Sequence, residues 1–129
     1  MQEQLTILII DDEESIRNEL AEYLQNNNFK VLMAEAASEA LNLLNTYEID
    51  VVFLDIRLPG INGIELLKII KEEFPQTEII MISGHGEMQS VIEAMRRGAC
   101  DFLPKPFSLT EVTRSEERRV GKECRLLCR

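Results

Sequence analysis

Three carboxylates, a hydroxyl and an ammonium group each follow a short, mostly aliphatic run in this chain. Together they suit the phosphorylation of an aspartate. Residues 5–10 lead into Asp11 and Asp12, and residues 51–54 into Asp55. Residues 78–82 lead into Ser83 and Gly84, and residues 101–104 into Lys105. An aspartate can attack phosphorus and carry the group as an acyl phosphate. Attacker and target are both anionic, so such a site needs fixed positive charge and little else, phosphoryl transfer being mostly positioning and electrostatics. An acidic pair beside a third carboxylate suits magnesium, which takes few protein oxygens and fills its octahedron with water and phosphate. Lys105 offers a point charge for a phosphate oxygen, and Ser83 offers a hydroxyl donor. Backbone amides around Gly84 and Gly86, at the start of a helix, can add to these.

Each residue also has a plainer use. Asp11 and Asp12 suit a helix N-terminus, Asp55 a turn, and Lys105 a solvated loop between two prolines. The joint occurrence of these groups, in order, at successive strand ends is what favours a site.

The runs lack a helical period and so predict buried parallel strands. In an open parallel sheet the carboxyl ends of the strands meet at one edge, where ligands bind. Residues 13–27 set Ile16, Leu20, Tyr23 and Leu24 on one helical face, and Asn26, Asn27 and Asn28 stop it. Residues 29–34 predict a second strand. Ser38 is expected to cap a helix bearing Ala40, Leu41 and Leu44. Leu58, Pro59 and Gly60 form a turn, and Asn62 is expected to cap a helix with Ile64, Leu67 and Ile70. Residues 86–97 predict a helix presenting Val91, Ile92 and Met95, closed by Gly98. Five alternations of strand and helix with short connections predict a doubly wound α/β sheet.

The 129 residues are one domain's length. No run approaches the ~20 apolar residues of a membrane span, and Asp11 interrupts the first run too early for a signal peptide, so a cytoplasmic location is expected. A net charge of −9 argues against direct nucleic-acid binding. Cys100, Cys124 and Cys128 have neither disulfide-framework nor zinc spacing. Cys100 is expected to be a buried small hydrophobe, and His85, the single histidine, a surface residue. Met81, Met88 and Met95 recur every seven residues and are expected simply to pack, partly in the core and partly at the surface.

The charge is unevenly spread. Residues 114–129 hold six basic and three acidic side chains, whereas residues 1–113 hold eight basic and twenty acidic. The segment from Arg114 to Cys124 resembles the translation of a common sequencing adapter read in frame. Residues 1–113 are therefore expected to form the domain, with 114–129 a non-native tail. Ser108 and Glu111 form a capping box, yet beyond Val112 no apolar stripe follows. A truncated fifth helix, a marginally stable chain and a natural sequence running past Thr113 are the expectations.

Residues 5–112 resemble the receiver domains of bacterial two-component response regulators. The motifs that carry this are Asp11-Asp12, the segment 55–63 from Asp55 to Gly63, Ser83-Gly84 and Lys105-Pro106. The resemblance implies a flavodoxin-like five-stranded parallel sheet of order 2-1-3-4-5. It implies Asp55 as phospho-acceptor, and Mg2+ held by Asp12, Asp55 and the backbone carbonyl of Arg57, with Asp11 holding metal-bound water. Ser83 and Lys105 would grip the phosphate, and a cis Lys105–Pro106 bond would aim the lysine inward. Phe102 would be a switch aromatic, its ring turning in behind Ser83, unless it is only a core ring. The implied partners are a sensor histidine kinase and a second copy through the helix 4–strand 5–helix 5 face, with no membrane and no nucleic acid bound by this domain. Residues 82–86 and 98–107 most resemble receivers of nitrogen-regulator-type transcriptional activators, which continue into ATPase and DNA-binding domains. The resemblance thus implies a regulatory signalling domain, not an enzyme in the usual sense. A stand-alone receiver and a degenerate, unphosphorylated interaction module are the alternatives within that family. A haloacid-dehalogenase-type phosphatase would need an aspartate two residues after its nucleophile, where Arg57 or Glu13 stands. A flavodoxin-like electron carrier would need a hydroxyl- and glycine-rich loop in place of Asp11-Asp12-Glu13-Glu14.

Overall fold

A computed structural model of the chain describes residues 4–84 and 86–105. The expectations for His85, the Lys105–Pro106 bond, the capping box at Ser108, the fifth helix and the tail 114–129 lie outside the described residues.

The elements run β1 (Thr6–Ile10), α1 (Glu14–Asn26), β2 (Lys30–Ala34), α2 (Ala37–Thr46), β3 (Val51–Asp55), α3 (Gly63–Glu73), β4 (Glu78–Ser83), α4 (Met88–Arg96) and β5 (Asp101–Pro104). All strand pairings in the sheet are parallel, in the order β2-β1-β3-β4-β5, the doubly wound order expected. A small separate hairpin pairs Arg57–Leu58 with Ile61–Asn62, turning at Gly60 with φ 79°.

Alternation along the strands builds two cores. Leu8, Ile10, Val52, Leu54, Ile79 and Met81 face α2, α3 and α4. Ile7, Ile9, Val51, Phe53, Ile80, Ile82 and Leu103 form the opposite layer with Leu20, Ala21 and Leu24 of α1. Burial on both faces explains why these strands read as unbroken aliphatic runs. Register aligns their ends: Ile10 pairs with Leu54, Leu54 with Met81, and Ser83 with Pro104. Asp11 and Asp55 thus emerge level with each other, while Ser83 and Lys105 follow one and two steps past that level, where β4 and β5 run on beyond β3.

Several local expectations shift. Ser38 does not cap α2: the N-cap is Ala36, in extended backbone and with no side-chain hydrogen bond. The Glu39 carboxylate instead accepts from the Glu35 N–H at 3.1 Å, satisfying a donor ahead of the helix. Helix α4 begins at Met88, not Gly86, whose φ of 82° is incompatible with a helix. It buries Val91 and Ala94, while Ile92 is 45% and Met95 39% exposed. The short alanine lets α4 lie close to the sheet, which turns the larger pair outward. Met81 is buried and Met88 exposed, so the methionine period divides between core and surface. Cys100 is only half-buried, at the edge of the α1-side core.

Asn62 does cap α3, its Oδ1 accepting from the Ile64 N–H at 2.8 Å. Asn62→Ala is expected to cost about 1 kcal/mol in urea denaturation. An unchanged midpoint would show that the cap contributes nothing.

Candidate functional site

Asp11 leaves β1 fully buried, its N–H donating to the Ala34 carbonyl at 3.1 Å. Its Oδ1 accepts from the Glu13 N–H at 2.9 Å. Asp12, the next residue, is exposed. Asp55 ends β3 at 3% exposure, and its Oδ1 accepts from the Arg57 N–H at 3.2 Å. Carboxylate oxygens of Asp11, Asp12 and Asp55 all lie within 4.8 Å of one another. Lys105 is held onto the end of β4 by its N–H, which donates to the Ser83 carbonyl at 2.6 Å. Its Nζ lies 3.1 Å from Asp55 Oδ2, 3.3 Å from Asp11 Oδ2 and 2.7 Å from Glu13 Oε1. The structure thus brings together four of the expected side chains, from three different strand ends.

Electrostatics here follow from crowding. Burial, then the neighbouring Asp11 charge, pushes the Asp55 carboxyl up to about 6, against the pull of the Arg57 N–H and Lys105. Burial works against the charge on Lys105, but the hydrogen bond to Glu13 and the Asp55 and Asp11 carboxylates outweigh it and hold the ammonium above its ordinary value.

A cleft of about 330 Å³ opens over these groups, lined by Asp12, Glu13, Asp55, Arg57, Gly84, Glu87 and Lys105. A larger hollow of about 500 Å³, between Tyr47, Phe74 and Thr77, lacks this gathering of charge, and we place the chemistry in the smaller cleft on that ground. Ser83 is buried at the end of β4 and is not among the cleft-lining residues. Phe102 is half-buried against the α2–α3–α4 side core, its N–H donating to Asp101 Oδ1 at 2.8 Å. Glu13 and Glu87 join the site although the sequence did not mark them. Glu87 is 7% exposed, accepts from the Gly84 N–H and pairs with Arg57. The Gly84 N–H lies ahead of α4, whose N-cap is Glu87 itself, so no helix-capping pattern in the sequence marks this contact.

The donor set fits a hard divalent cation. Asp11 Oδ2 is fully buried beside Lys105 yet accepts no hydrogen bond, and three carboxylates converge where few oxygens are needed.

The raised Asp55 has a consequence for stability without metal. Between pH 3.8 and about 6 the folded chain holds a proton on Asp55 that the unfolded chain has released, so stability falls as pH rises through that window. The loss by pH 7 should be on the order of 2–3 kcal/mol. In chelator, the stability of Asp55→Asn minus that of the parent should grow from pH 4 to pH 7. A constant difference would show that Asp55 titrates normally.

No described helix is long and apolar enough to cross a membrane. Residues 7–115 match the response regulator receiver domain family. The chain is 42% identical over 107 residues to an NtrX-like response regulator of Rickettsia felis, covering 81% of this chain and 22% of that protein. It is 34% identical over 115 residues to the DNA-binding transcriptional regulator NtrC of Escherichia coli (strain K12), covering 89% of this chain and 24% of the other. The chain therefore spans less than a quarter of the length of these curated relatives. The crystal structure of the receiver domain of NtrX from Brucella abortus superposes with a TM-score of 0.84 at 38% identity, over 89% of this chain and 98% of that one. With the sheet order, the converging carboxylates and the match over most of its length, this chain belongs to the response regulator receiver domain family.

Proposed function

We propose that this chain is a phospho-accepting switch in which Asp55 takes a phosphoryl group from a sensor histidine kinase. Receiver domains of response regulators are signalling domains, not classical enzymes, and this one would catalyse only its own phosphorylation and dephosphorylation. The observation that carries the reading is the Asp55 carboxylate, buried at the end of β3 with Lys105 Nζ at 3.1 Å and two further carboxylates within 4.8 Å.

An Asp55 oxygen attacks phosphorus, the P–N bond to the donor imidazole breaks, and the electron pair leaves with the imidazole. Asp11, Asp12, Asp55 and the Arg57 backbone carbonyl would hold Mg2+, which when bound neutralises charge on the phosphoryl oxygens. Lys105 moves from its carboxylate partners to a phosphoryl oxygen, supplying the fixed cation that the reaction needs. The Ser83 hydroxyl turns from the end of β4 towards another oxygen, and the Phe102 ring follows into the space behind it. The change is passed on through α4 and β5 together with the fifth helix, the face proposed to pair with a second copy. The exposed Met88, Ile92 and Met95 on α4 support that face as a contact surface. The NtrC and NtrX relatives support a regulatory domain of a transcriptional regulator. The adapter-like segment from Arg114 is the ground for taking residues 1–113 as the receiver unit and 114–129 as a non-native tail, and a cytoplasmic location is proposed with them.

Incubating the 129-residue chain with acetyl phosphate and Mg2+ should add one phosphoryl group to its intact mass, and none in chelator. Melting should also shift upward when Mg2+ is added, because only the folded chain gathers the three carboxylates. An unchanged mass in a chain that melts cooperatively would make this a degenerate interaction module.

A further inference from the structure

The cleft that holds Asp55 is already occupied on one side by an anion of the chain itself. Glu87 stands directly before α4, and its side chain is 5% exposed, although a glutamate there would ordinarily reach into water. One carboxylate oxygen accepts from the Gly84 N–H and the other pairs with Arg57 Nε, whose own side chain is 79% exposed. Arg57 and Lys105 are the two cationic side chains lining this cleft, against the acidic Asp12, Glu13, Asp55 and Glu87. Gly84 contributes a backbone donor at the same rim. An anionic group arriving on Asp55 therefore finds one cation among the carboxylates of Asp11, Asp55 and Glu13, and the other cation and the amide held by Glu87.

We propose that Glu87 is a positioning residue that stands in for the phosphoryl group in the unphosphorylated chain and is displaced by it. Its carboxylate keeps the Gly84 N–H and the Arg57 guanidinium turned towards the cleft. Once Asp55 is phosphorylated, a phosphoryl oxygen takes the Gly84 N–H, and two anions cannot share that donor in so small a space. The backbone of Glu87 is tied to α4, its carbonyl accepting from the Val91 N–H at 3.0 Å. Expelling the carboxylate thus pulls on the first turn of α4. Gly86, at φ 82° with nothing within 4 Å of a would-be Cβ, gives the backbone room to turn there. The same charge opposes the approach of an anionic phosphodonor. This inference rests on the proposed role of Asp55.

A glutamate that merely ties down the Gly84 N–H would behave differently, and glutamine separates the two. Glutamine can still accept from the Gly84 N–H but carries no charge. The experiment compares the full 129-residue parent with Glu87→Gln and Glu87→Ala, using acetyl phosphate, Mg2+ and intact mass for initial rates, and the Gly84 amide resonance by NMR. Removing one charge across this cleft should speed phosphorylation about three- to tenfold in Glu87→Gln at low ionic strength, with a weaker salt dependence. The Gly84 amide should differ between unphosphorylated parent and Glu87→Ala, and coincide once both are phosphorylated. Rates within twofold of the parent, or a Gly84 amide in the parent that phosphorylation leaves unmoved, overturn the proposal and leave Glu87 as a structural tie to the Gly84 loop. A parent and a Glu87→Gln variant that both take up nothing overturn the role of Asp55 and this inference with it. Uptake by the variant alone supports the inference in its strongest form.

Discussion

Asp55→Asn should gain no phosphoryl group under conditions in which the parent gains one, and should be the more stable of the two without metal. The swap conserves shape, and Asp55 is buried at a strand end with both oxygens engaged, so the fold has no steric reason to change. Chemistry is another matter. A carboxamide is a poor nucleophile and offers one neutral oxygen where the carboxylate offers two charged ones. Burial and the Asp11 charge already hold the Asp55 carboxyl up at about 6, so its ionised form is a cost to the fold at neutral pH. Removing that charge should raise stability by about 1–3 kcal/mol in chelator, the lost attraction to Lys105 being the smaller effect. Intact mass and urea denaturation read the two halves separately. A variant that still gains mass would place the nucleophile elsewhere, and a variant less stable than the parent would mean that the Lys105 pair outweighs the crowding of carboxylates.

Gly63→Ala is the largest expected loss of stability. The Gly63 N–H donates to the Ile56 carbonyl at 2.7 Å, pressing the first residue of α3 against the peptide that follows the nucleophile. A methyl group there would lie 2.7 Å from both Ile56 Cα and Ile56 O, and nearer still to the Asp55 carbonyl oxygen. All three are backbone atoms, so no side chain can rotate aside; either α3 moves off the sheet or the end of β3 bends. Overpacking of this kind should cost about 3 kcal/mol or more, lowering Tm by more than about 10 °C for a domain of this size. Because the displaced backbone carries Asp55, phosphorylation of the folded fraction should slow as well. A melt within a few degrees of the parent would show that α3 can shift without penalty.

The sheet was legible because both of its faces are buried. β1, β3 and β4 had to be continuous aliphatic runs, and a polar residue ending each run could only mark the open edge. Asp11, Asp12, Asp55 and Ser83 were found in that way, and Lys105 at the end of the shorter run of β5. The Asn62 cap was legible too, since its partner is two residues on. Glu13 and Glu87 were not. The contact of Lys105 with Glu13 spans 92 positions, and no local pattern reports it. Glu87 pairs with Arg57 across the cleft, a meeting that depends on where the loop after β4 turns. The orientation of α4 was missed for a similar reason. Val91, Ile92 and Met95 fit a helical stripe as well as Val91 and Ala94 do, and only packing against the sheet selects between them.

The distribution of the site over β1, β3 and β5 bears on how the protein is made. A ribosome delivers Asp11, Asp12 and Asp55 well before Lys105, the residue that answers their charge. Until β5 docks beside β4, the nascent domain holds three carboxylates with no lysine among them, and β5 can dock only when nearly the whole described chain has emerged. On the proposed reading, Asp55 lacks the cation that its phosphorylation needs until β5 is in place. On the proposed role of Asp55, competence to receive the signal would arrive with β5, the last of the described strands to be made.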